Sequence, residues 1–137
     1  VPPNSLAYEL KKESNYKLLH CSNDKIIYQV EYANNRIKIV REIKLFNNSL
    51  SIIDSHQDDF YQTLWHYNGL FNKISPLTYK GANFSISFEG ENDLKSNLLD
   101  NYFSSSNYGE SQELSTIIIK NKKSQGGFVK TNFIFYD

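Results

Sequence analysis

A chain of 137 residues has the length of one domain, and ten Tyr and nine Phe within a 39% hydrophobic composition suffice for one buried core. Its 15 basic and 15 acidic side chains cancel and form no block or stripe, which argues against nucleic acid or an acidic membrane as a partner. No run approaches the roughly 20 apolar residues of a membrane helix, and the single cysteine, Cys21, rules out an internal disulfide or a cysteine zinc cluster.

The chain opens on "VPPNSL" and contains no Met, which predicts a processed chain or an excised piece. Beyond this linker-like start the dominant signal has period two. Cys21, in an apolar-polar run, reads as a half-buried small residue. "KIIYQVEYA" sets Ile26, Tyr28, Val30 and Tyr32 on one face and Ile27, Gln29 and Glu31 on the other. "REIKLFNNSLSIIDSH" follows, with Asn47-Asn48 suited to a two-residue type I′ turn, because Asn tolerates positive φ. With those two residues at the tip, Leu45 faces Leu50, Ile43 faces Ile52, Arg41 faces Asp54 and Ile39 faces His56. Opposed Cβ atoms lie about 4.5–5.5 Å apart, so the hairpin predicts an Arg41–Asp54 ion pair inside its apolar face. Such a pair is either structural, setting register, or partly open, with Arg41 meeting an acidic sugar.

"DSHQDD" places Asp54, His56 and Asp58 on one face of a strand. That set has metal-ligand chemistry but also reads as a polar strand end, and no metal site is assigned. "QTLWHYNGLF" holds the only Trp. Trp65 and Tyr67 share a face and His66 points the other way. The two rings are either core or an aromatic platform for sugar rings, which stack on aromatic faces while a polar edge stays in water. Tyr8, Tyr16, Tyr61, Tyr79, Tyr102 and Tyr108 read as further exposed tyrosines. Trp65, His66, Tyr67 and Tyr108 are the candidate sugar contacts.

"FSISF" alternates strictly over Phe84–Phe88. "NDLKSNLLDNYF" is the one stretch with a helical pattern: Leu94, Leu98 and Leu99 share a helix face, and Asn92 or Asp93 supplies a cap. "ELSTIIIK" and "FVKTNFIFYD" are β-branched and aromatic, as pleated surfaces prefer. Turn clusters such as "YNG", "KGAN", "EGEND", "SSSNYGES" and "NKKSQGG" separate these runs. The expectation is a single all-β domain over 1–137. It is an antiparallel β-sandwich of about ten strands with one short helical or irregular insertion over 92–103.

Catalytic signals are missing from the residues. No G-x-S-x-G, H-E-x-x-H or phosphate-binding glycine loop occurs. His20, His56 and His66 have no evident nucleophile beside them, and 15 acidic residues offer too many pairs to single out a glycosidase dyad.

The order of "RIKIVREIKLFNNSLSIIDSH", "LWHYNGLF", "SSSNYGESQELSTIIIK" and "FVKTNFIFYD" resembles the C-terminal β-sandwich of the heparinase II/III-like polysaccharide lyases. The matching positions are Arg41, then Leu50, Ile52 and Asp54, then Trp65 and His66, then Ser105, Tyr108 and Gly109, then Thr131. The resemblance spans residues 36–136. It implies a parent enzyme that cleaves uronic-acid-containing polysaccharide by β-elimination, with a helical toroid ahead of the β-region. A base there removes the proton α to the carboxylate, and a Tyr or His acts as acid. Most of the family's catalytic residues lie in the toroid. Others, including a histidine and metal ligands in some members, lie in the earlier β-region near an H-x-H or H-x-D strand. Neither a toroid nor such a strand is assigned in this sequence, so no catalytic residue is carried over. The implied partners are an acidic polysaccharide, met through the parent enzyme, and the N-terminal helical domain; no cofactor is implied. The implied location is periplasmic or secreted. Two other classes stay open: a free-standing carbohydrate-binding module, and a structural or adhesive β domain without a ligand.

Overall fold

The computed structural model describes residues 15–32, 37–56, 60–91, 94–104, 112–122 and 127–136. Eleven strands are formed there: β1 (Asn15–Cys21), β2 (Lys25–Tyr32), β3 (Ile37–Leu45), β4 (Ser49–His56), β5 (Phe60–Tyr67), β6 (Asn72–Ser75), β7 (Thr78–Lys80), β8 (Phe84–Gly90), β9 (Lys95–Ser104), β10 (Gln112–Lys122) and β11 (Gly127–Phe135). They make two antiparallel sheets. The larger has eight strands in the order β1-β2-β3-β4-β11-β8-β7-β6, and the smaller has three in the order β5-β10-β9. The fold is an all-β sandwich of unequal layers.

The core lies where the small sheet covers the large one. Ile117 and Ile119 of β10 are wholly buried against Tyr79, Ile86, Phe88 and Val129 of the larger sheet, with Phe71 from the β5–β6 connection. These positions alternate along their strands, so each strand sends every second side chain inward. Aromatic rings close the layer. Trp65 meets Phe133 edge-on at 5.3 Å between centroids, and Tyr67 packs on Phe71 at 4.7 Å and Phe84 at 5.0 Å.

The register of the β3–β4 hairpin follows from its Asn47-Asn48 tip. Leu45 pairs with Leu50, Ile43 with Ile52, Arg41 with Asp54 and Ile39 with His56. The Phe46 N–H donates to the Ser49 carbonyl across the tip at 2.9 Å.

The expected helical or irregular insertion over 92–103 is corrected. Residues 95–104 form β9, which pairs along β10. Leu94, Ser96 and Leu98 are half-buried while Lys95, Asn97 and Leu99 are exposed, a period of two. Leu94 and Leu98 are four residues apart, a spacing that shares a face in a helix and in a strand alike. Leu99 separates the two patterns, and it points outward with 43% exposure. β10, paired with β5 along its other side, supplies the hydrogen bonds that hold this segment extended.

Two smaller expectations also change. Cys21 is exposed rather than half-buried, because β1 is an edge strand with all seven residues exposed. Tyr79 is fully buried rather than exposed. Its strand lies beneath the small sheet, and its hydroxyl shares a 2.6 Å hydrogen bond with Ser96 Oγ of β9.

Candidate functional site

The polar residues singled out by the sequence fall into two groups. The first lies on the inner face of the large sheet, where Tyr28 of β2, Arg41 of β3 and Asp54 of β4 stand side by side in one cross-strand row. Arg41 Nε donates to Asp54 Oδ1 at 2.6 Å and a terminal guanidinium nitrogen donates to Oδ2 at 2.9 Å. This is a bidentate, charge-assisted pair. The two ends differ in exposure: the Asp54 side chain retains 2% and the Arg41 side chain 29%. The hydrogen bond to Asp54 and the charge of its carboxylate hold the Arg41 pKa above its ordinary value against the opposing effect of burial, and Tyr28 adds to the same direction. Arg41 therefore stays cationic, with two of its N–H donors on Asp54 and Tyr28 against the guanidinium as well. Asp54 is committed to a cation and shut away from water, so it is not placed to meet a substrate.

His56 lies one row along the same face, opposite Ile39, and is 5% exposed. Asp58 lies outside the described residues. Among the described residues, no group of three or more His, Cys, Asp or Glu side chains is arranged to hold a metal ion.

The second group lies on β5 of the small sheet. Trp65 and Tyr67 face the large sheet and pack against the core, opposite Ile117 and Ser115 of β10. The indole Nε1 and Ser115 Oγ are both buried without a hydrogen-bond partner among the described residues. His66 is on the opposite face, where its Nδ1 lies 2.9 Å from Thr116 Oγ1. The three consecutive residues thus divide between the two faces of one sheet. Tyr8 and Tyr108 lie outside the described residues, as do the matched positions Ser105 and Gly109.

Sequence reasoning passed over the outer face of the large sheet. There a row of polar side chains crosses from β3 to β7, with an open groove above it. Its members sit at alternate positions of five different strands, so no single segment displays them together.

The architecture matches solved structures. A heparinase III gene product superimposes with a TM-score of 0.66 at 16% identity, over 88% of this chain and 21% of that one. The heparan sulfate lyase HepC from Pedobacter heparinus gives 0.63 at 11% identity, over 90% of this chain and 22% of that one. A further heparinase III crystal structure gives 0.59 at 12% identity. The fold is thus a β-sandwich of the kind these enzymes contain, and the chain spans about a fifth of their length. No family model and no curated protein matches the sequence.

Proposed function

We propose that this chain is the C-terminal β-sandwich of a heparinase II/III-like polysaccharide lyase, and that it braces the catalytic cleft built by the rest of the enzyme. The supporting observation is the shared fold over 88% of the chain, joined to the order of Arg41, the Leu50-x-Ile52-x-Asp54 strand, Trp65-His66 and Thr131 along it. In this reading the parent cleaves a uronic-acid-containing polysaccharide by β-elimination. The elimination needs a base within hydrogen-bond reach of the proton α to the carboxylate. Asp54 is tied to Arg41 and His66 lies on the outer face of the small sheet, so neither is assigned as the base, which in this reading belongs to the rest of the parent enzyme. The part-exposed guanidinium of Arg41 suits a uronate carboxylate, and His66 and Tyr108 are carried forward as candidate sugar contacts, whereas the Trp65 and Tyr67 rings pack into the core and support the strand from beneath. The expected location is periplasmic or secreted.

The test is to express the complete reading frame that carries these residues, with and without residues 15–136. The complete protein is expected to release an ultraviolet-absorbing unsaturated uronate from heparan sulfate or a related chain, and the truncated one to lose that activity. A reading frame with no helical domain, or a complete protein that releases no such product, would overturn the proposal. Glycan binding by this chain with no lyase partner would favour the free-standing carbohydrate-binding module.

A further inference from the structure

The outer face of the eight-stranded sheet carries a row that the core does not use. Lys44 of β3, Ser51 of β4, Asn132 of β11, Ser87 of β8 and Thr78 of β7 are in cross-strand register, one residue from each strand. Four strand spacings of about 4.8 Å give this row a length of about 19 Å, enough for several linked sugar rings. Beside it runs a second row, Glu42, Ile53, Lys130 and Glu89, and on the other side Ser49, Ile134 and Ser85.

At the centre of the row Ser51, Asn132 and Ser87 are smaller than Ile53 and Lys130 on one side and Ile134 on the other, so the surface is grooved there. An open hollow of about 430 Å³ is lined by Ser51, Asn132 and Ser87 along its floor, with Ile53, Lys130 and Ile134 among its walls. Ser51 is 6% exposed although no strand among the described residues covers this face. A smaller hollow of about 260 Å³ continues across the end of β3 to the β1–β2 turn and shares Lys44 and Phe46 with the first. Phe46 is 56% exposed there.

The charges along the groove are mixed. Glu42 lies 3.7 Å from Lys44 and 3.9 Å from Lys25. Glu89 is the cross-strand neighbour of Lys130, and Asp24 lines the smaller hollow beside Lys25. Three lysines are balanced by three carboxylates. Amide and hydroxyl groups on the floor match sugar hydroxyls, an exposed ring at one end offers a stacking face, and ammonium groups spaced along the groove, each with a carboxylate beside it, match carboxylates spaced along a chain. The carboxylates beside them repel a ligand with a charge on every ring.

We propose that this groove binds an extended segment of unsulfated, uronate-bearing polysaccharide, with Lys44 and Lys130 on the uronate carboxylates, Ser51, Asn132 and Ser87 on hydroxyls, and Phe46 under a ring. The choice of a uronate chain rests on the lyase reading above; the site itself rests on the register and the groove. In that setting the sandwich holds the polymer at a distance from the chemistry and raises its local concentration.

The experiment measures binding of this chain by calorimetry to three probes: a soluble unsulfated uronate-containing polysaccharide, a neutral glucan and heparin. The unsulfated uronate chain is expected to bind most tightly. Lys44→Ser with Lys130→Ser is expected to weaken it about tenfold or more. Ser87→Leu, which raises the floor, is expected to weaken the uronate chain and the neutral glucan alike. Circular dichroism confirms that the variants keep the strand spectrum. The proposal is overturned if the uronate chain does not bind, if heparin binds more tightly than it, or if folded variants bind as the parent sequence does. The two proposals fail separately: a complete enzyme that releases unsaturated uronate while groove variants bind normally removes the groove alone. Groove-dependent binding in a protein with no eliminase activity removes the lyase reading alone.

Discussion

Arg41 and Asp54 face each other across the β3–β4 hairpin through two hydrogen bonds, and only the arginine end reaches water. That asymmetry sets what each substitution does. Arg41→Ala strips two charge-assisted bonds from a carboxylate that water cannot reach, and should cost about 3–5 kcal/mol. Asp54→Ala leaves a guanidinium that can turn toward solvent, and should cost less, about 1–3 kcal/mol. Replacement of both by Met and Leu should recover much of the larger loss. Urea melts of the two single variants and the double variant measure the coupling; a value near zero would make the pair irrelevant to stability. The sign with pH follows from the raised Arg41 pKa. Stability from a raised cation is present at all pH values below its unfolded pKa, so the Arg41 contribution should be constant from pH 6 to 10.

β9 predicts unequal neighbours. Leu98 is opposite Ile117 and half-buried, whereas Leu99 is 43% exposed. Leu98→Ala should cost about 1–3 kcal/mol and Leu99→Ala about 0.5 kcal/mol or less. Chemical denaturation reads both, and equal losses would contradict the alternation.

Tyr79 is buried to the hydroxyl, which meets Ser96 Oγ. Ser96 Oγ in turn donates to the Pro76 carbonyl, so the phenol joins β7 to β9 across the two sheets. Tyr79→Phe keeps the ring and removes that link. A loss of about 0.5–1.5 kcal/mol is expected in thermal or urea unfolding, and Tyr79→Ala should exceed it severalfold.

Gly69 has a packing reason to be glycine. A Cβ there would lie 2.6 Å from Tyr67 Cε1 and 2.8 Å from Cζ. The Tyr67 ring cannot swing freely, because Phe71 and Phe84 hold its faces and edge and its hydroxyl accepts from the Ala82 N–H at 3.4 Å. Gly69→Ala should cost about 1–3 kcal/mol, with the near-ultraviolet signal of the aromatic cluster altered. An unchanged melting temperature would show that the ring yields.

The hairpin was legible in the sequence because one local feature determines it. Two Asn residues between apolar alternations define a tip, and every pairing follows by counting. β9 was not, because four-residue spacing of leucines is common to both periods and the deciding partner, β10, lies outside the segment. Trp65 and Tyr67 could be assigned to one face from alternation, but which face met the other sheet depended on how two sheets stack. The outer groove was invisible for a related reason. Ser51, Ser87 and Asn132 are unremarkable where they stand in the chain, and only the order β3-β4-β11-β8-β7 sets them in line.

The unequal width of the two layers has a consequence for how the molecule opens. Eight strands span about 34 Å between their outer axes and three span about 10 Å, so the β1 side of the large sheet is an overhang, with all of β1 exposed and no second layer over it among the described residues. Local opening should therefore start there and run inward like a zip. Amide exchange in heavy water is expected fastest along β1, slower through β3, and slowest along β10 and β11, whose amides exchange only when the whole sandwich comes apart.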